Sequence, residues 1–137
     1  MVVALVQDLI FGTRIRSTAQ ALGTEARLAR TPDAFSRLLT ENPPQLVLID
    51  LDLTDGDAVS AVAIAANGLP RPRIVAFVSH VHAELARRAE EAGADEVMPR
   101  SQFHQMLPTL LREIVPSLKG VSSAEKTAKR PLRDPAT

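Results

Sequence analysis

Five short apolar runs, VVALV (2–6), EARLA (25–29), LVLID (46–50), RIVAFV (73–78) and DEVM (95–98), recur along the chain with room for one helix after each. Between them the apolar residues return at helical spacing, so strand and helix alternate five times. Connections of that length carry a chain back across a sheet rather than around a hairpin, and the pattern predicts a parallel sheet covered on both faces. LVLID and RIVAFV are almost continuously apolar, as central parallel strands are, whereas EARLA alternates like an edge strand. Right-handed crossovers with one reversal of winding then give an α/β, flavodoxin-like, doubly wound five-stranded sheet of order 2-1-3-4-5.

The helical segments carry their own punctuation. The first sets Ile15, Ala19 and Leu22 on one face and stops at Gly23. The second opens with Thr31 as N-cap and Pro32 at the first helical position, turns Phe35, Leu38 and Leu39 inward, and closes at Pro43-Pro44. The third, near 58–66, is rich in small residues and ends at Asn67-Gly68. The fourth, near 82–92, buries Leu85 and Ala89, exposes Arg87, Arg88, Glu90 and Glu91, and stops at Gly93. In the fifth, Pro108 interrupts FHQMLPTLLREIV, and an interior proline costs roughly 3 kcal/mol. Either the helix kinks there or residues 103–106 form a separate turn; the favoured expectation is that the main helix begins with Pro108 at its first position.

A length of 137 residues suits one domain, placed here at 1–117. From 118 to 137 apolar periodicity ends and the composition predicts a flexible tail. Sixteen basic and sixteen acidic side chains cancel, so no global field draws the chain to nucleic acid or an anionic membrane. The absence of cysteine removes disulfides and thiolate chemistry and fits a reducing compartment, so the expected location is cytoplasmic. No apolar stretch approaches the roughly 20 residues that span a bilayer.

In an open parallel sheet, chemistry collects beyond the carboxyl ends of the strands where the winding reverses. Asp8 after the first strand and Asp50 at the end of the third are expected to converge there, with Ser79 after the fourth and Arg100 after the fifth. Two carboxylates suit a hard divalent cation, and a carboxylate with a hydroxyl and a guanidinium suits phosphoryl chemistry. The neighbours Asp52, Asp55 and Asp57 are read as loop and helix-cap residues, because Asp55-Gly56 is a turn signal. His80, His82 and His104 lack ligand spacing and are read as exposed or packing residues. The first loop, QDLIFGT, lacks a phosphate-wrapping glycine pattern, and neither a P-loop nor a dinucleotide fingerprint occurs, which argues against a nucleotide-binding enzyme.

LVLIDLDLTDGDAV, AFVSH and AEEAGADEVMPRS resemble the third-strand, fourth-strand and fifth-strand segments of receiver domains of two-component response regulators, over about residues 1–117. The resemblance implies phosphoacceptor Asp50, phosphoryl contacts from Ser79, Arg100 where the family has lysine, and Mg²⁺ at Asp8 and Asp50. It implies self-phosphorylation from a donor at most, rather than an enzyme of another kind. The partners it implies are a histidine kinase or another signalling protein, and it admits a homodimer through the fourth helix, fifth strand and fifth helix.

The departures are as specific as the matches. Gln7 stands in place of one of two acids, Arg100 in place of lysine, His80 where a small residue is usual and Val97 in the place of an aromatic. A planar guanidinium does not reproduce a compact ammonium. Arg100 is therefore expected either to bind phosphate or to close a salt bridge to Asp50 across the site. Two functions follow: a pseudo-receiver acting through protein–protein contacts, which is favoured, or a stand-alone receiver phosphorylated at Asp50.

Overall fold

The computed structural model describes residues 1–54, 57–79 and 82–115. The strands are β1 (Val2–Leu5), β2 (Ala26–Ala29), β3 (Leu46–Asp50), β4 (Arg73–Val78) and β5 (Glu96–Pro99). They alternate with α1 (Leu9–Ala21), α2 (Pro32–Glu41), α3 (Ala58–Ala66), α4 (Ala83–Ala92) and α5 (Arg100–Arg112). All strand pairs are parallel and the order is β2-β1-β3-β4-β5, as the apolar rhythm predicts. The expected domain boundary at 117 and the tail beyond it lie outside the described residues, as do Asp55, Gly56 and His80.

Alternating residues of the central strands feed two cores. Val2, Ala4, Leu46, Leu48, Val75 and Phe77 pack under α1 and α5. Val3, Leu5, Val47, Ile49, Ile74 and Ala76 pack under α2, α3 and α4. Every residue of β1 and β3 is buried, whereas three of the four residues of β2 are only half-buried, which is the difference between central and edge strands. Thr31 caps α2 by accepting from the Ala34 amide at 3.2 Å, and Asp57 caps α3 by accepting from the Ser60 amide at 3.1 Å.

The expectation for the fifth helix is corrected. α5 runs unbroken from Arg100 to Arg112 with Pro108 inside it, rather than starting at Pro108. Proline leaves the carbonyl four residues earlier, that of His104, without its helical donor. Arg14 of α1 reaches that oxygen through Nη2 at 3.5 Å, a long but correctly placed replacement. Phe103, Leu107, Leu110 and Leu111 form one buried face across the proline, so tertiary packing offsets the local penalty. The same start moves Arg100 from the end of the fifth strand to the first turn of α5.

Candidate functional site

β3 delivers Asp50 at its carboxyl end with only 5% of its surface exposed, and it is the one charged side chain in the buried class among the described residues. A buried carboxylate without compensation costs several kcal/mol, so its partners decide what the site is. The Asp52 amide donates to its Oδ1 at 2.9 Å. Nη2 of Arg100 spans both carboxylate oxygens, at 2.9 Å each, and lies 3.4 Å from Asp52 Oδ2.

Arg100 is itself held from below. Its guanidinium carbon lies 5.2 Å from the centre of the Phe77 ring and 5.8 Å from that of Phe11. Those rings belong to a cluster in which Phe77 stacks on Phe103 and Phe11 meets both edge-on. Burial works against the Arg100 charge, but Asp50 and then Asp52 outweigh it and its pKa is raised. His104, in the next turn of α5, packs against the Phe11 ring. Burial, then Arg14 and Arg100, holds its pKa below the ordinary value, with Asp8 opposing.

Ser79 follows β4 and does not turn to Asp50. Its hydroxyl donates to Asp52 Oδ2 at 2.8 Å and its amide donates to the same oxygen at 2.6 Å. Burial pushes the Asp52 carboxyl up, but the Ser79 bonds and Arg100 prevail and its pKa is lowered. Asp52, expected as a loop residue, does lie in the turn that follows β3, and there its carboxylate meets Ser79 and Arg100.

Asp8 is placed differently from the expected metal pair. Its Oδ1 accepts from the amides of Ile10 at 2.9 Å and Phe11 at 3.1 Å, so it is the N-cap of α1. Gln7 ties neighbouring segments together: its amide oxygen accepts from the amide and hydroxyl of Thr54, both at 2.9 Å, and its Nε2 donates to the Arg30 carbonyl at 3.2 Å. Among the described residues no group of three or more acidic or histidine side chains is arranged to hold a metal ion. Mg²⁺ takes near-octahedral oxygen ligands. In this arrangement both Asp50 oxygens face a guanidinium, one Asp8 oxygen caps a helix and the Gln7 oxygen holds Thr54. The donor set, as arranged, does not fit Mg²⁺.

No protein-family model and no curated protein sequence matches the chain. Solved structures do. The receiver domain of NtrX from Brucella abortus superposes with a TM-score of 0.70 at 17% identity, over 84% of this chain and 100% of that one. The beryllofluoride-activated NtrC4 receiver domain dimer gives 0.67 at 16% identity, over 82% and 96%. HP1043, an orphan response regulator of H. pylori, gives 0.67 at 18%, over 85% and 94%. This chain has the receiver fold. On that fold Asp50 stands at the end of the central β3, and the cleft beside it is lined by Ser79, Pro99, Arg100, Ser101 and His104. No helix among the described residues is long and apolar enough to cross a membrane.

Proposed function

We propose that the chain is a receiver-type signalling module that works through protein–protein contacts as a pseudo-receiver, and not as an enzyme. In this reading Arg100 supplies within the chain the positive charge that a metal supplies in a phosphorylatable site. The observation that carries it is the single guanidinium nitrogen bonded to both oxygens of the buried Asp50. A carboxylate attacks phosphorus through an oxygen lone pair, and a salt bridge across both oxygens lowers their nucleophilicity while occupying the approach. Ser79, which would contact an incoming phosphoryl group, donates its hydroxyl proton to Asp52 instead.

The partner is a signalling protein, with self-association through α4, β5 and α5 as the route to a dimer. The competing reading, phosphorylation at Asp50 by a histidine kinase, requires Arg100 to leave both oxygens and a cation to replace it. Incubation with acetyl phosphate and Mg²⁺ followed by intact-mass measurement separates the two. The pseudo-receiver reading expects no phosphoryl adduct on the wild type. An adduct of one phosphoryl group that is absent from Asp50→Asn would replace it with the phosphorylatable reading.

A further inference from the structure

We propose that Asp52 is a positioning residue that supplies, from within the chain, the anionic acceptor around which Ser79 is organised, with Arg100, held mainly by Asp50, at its edge. The end of β4 is thereby held to the turn after β3 by a carboxylate of the chain itself. Its signalling consequence rests on the pseudo-receiver reading: Ser79 at the end of β4 is held in one state, independent of any phosphodonor.

The geometry is specific. A single oxygen, Asp52 Oδ2, receives the Ser79 amide at 2.6 Å, the Ser79 hydroxyl at 2.8 Å and Arg100 Nη2 at 3.4 Å. An amide, a hydroxyl and a guanidinium converging on one point are the donors that would take an oxygen of a tetrahedral oxyanion. A serine hydroxyl has one proton to donate, and here Asp52 holds it. Asp50 is not the organising anion for Ser79: among the described residues its own partners are the Asp52 amide and Arg100. The lowered pKa of Asp52, against the push of burial, is the electrostatic counterpart of that donor set.

The test is amide NMR and hydrogen exchange on the full chain. The Ser79 amide proton is expected far downfield and protected in the wild type. In Asp52→Ala it should lose the downfield shift and exchange roughly tenfold or more faster, the change expected for losing a charge-assisted hydrogen bond. The Leu51 amide, which donates to the Phe77 carbonyl at 2.9 Å, serves as an internal reference and should stay in place. Sodium formate should restore the Ser79 shift in Asp52→Ala by returning a carboxylate to the vacated space, an effect that a merely space-filling side chain would not show. Should Asp52→Ala not fold, Asp52→Asn keeps the shape and an acceptor oxygen without the charge, and an intermediate Ser79 shift is expected. An unchanged Ser79 amide in either variant, or no response of Asp52→Ala to formate, overturns the proposal. Phosphoryl uptake at Asp50 with the Ser79 dependence intact would sink the pseudo-receiver reading and leave the positioning role standing.

Discussion

Replacing Arg100 with alanine removes the one cation that, among the described residues, faces both Asp50 and Asp52. Asp50, with 7% of its side chain exposed, would be left, among the described residues, with the Asp52 amide as its remaining donor, and Asp52 would lose its charge partner. Breaking a buried ion pair by deleting one partner costs about 3–5 kcal/mol. The value here is reduced because the Arg100 side chain keeps 29% of its surface in solvent, so water can relax into the gap. It is increased by loss of the contacts with Phe77 and Phe11, which contribute about 0.5–1 kcal/mol where solvent is near. A net loss of about 2–4 kcal/mol follows, equivalent to roughly 10 °C in melting temperature for a domain of this size. Differential scanning fluorimetry in metal-free buffer should show that loss. Millimolar Mg²⁺ should return part of it by binding the freed carboxylates, while the wild type responds weakly. A wild type that already gains several degrees from Mg²⁺, with Arg100→Ala gaining no more, would refute the internal-cation reasoning.

Acid should act through Asp52. Its folded pKa lies below the ordinary 3.8, so its stabilisation is complete above that value and is lost as pH falls through the lower folded-state pKa. Urea midpoints of wild type and Asp52→Asn, measured from neutral pH downwards, should therefore converge at the acid end. His104 adds a separate loss: its pKa is lowered from 6.5, so protonation opposes folding as pH drops below that value, and His104→Gln should flatten the slope there. Because Arg100 is one of the charges depressing His104, Arg100→Ala should raise the His104 midpoint in an NMR titration. Gly93 ends α4 at φ 125°, and a Cβ there would lie 2.6 Å from the Ala66 Cβ. Gly93→Ala should lower stability by about 2–4 kcal/mol, combining backbone strain and overpacking, as read from urea unfolding.

The fold was legible because each of its determinants is local or periodic. The apolar runs of β3 and β4, the Thr31 and Asp57 caps and the Gly93 stop all speak through spacing or residue type, and each stands where its signal placed it. Helix α5 was misread because the carbonyl orphaned by Pro108 is met by Arg14, a residue 90 positions from His104 whose role no local window contains. The site was legible in outline: topology brought Asp50 and Arg100 together, and a salt bridge across it was one of two expectations. What stayed hidden was the allocation of single oxygens and protons. Nothing in the sequence says that Asp8 faces its own helix, that Ser79 turns to Asp52, or that Phe11 and Phe77 lie under the guanidinium. Those choices depend on side-chain directions fixed only after the sheet and helices have packed.

A double-mutant cycle on Arg100 and Asp50 addresses the central claim most directly, because it isolates the coupling between the guanidinium and the carboxylate from whatever else each substitution removes. Unfolding free energies of wild type, Arg100→Ala, Asp50→Asn and the double variant would be measured by urea titration in metal-free buffer. If Arg100 is the cation of the site, Asp50→Asn should relieve much of the damage done by Arg100→Ala, and the two should couple by about 2 kcal/mol or more. Additive effects, with a coupling within about 0.5 kcal/mol of zero, would contradict the account.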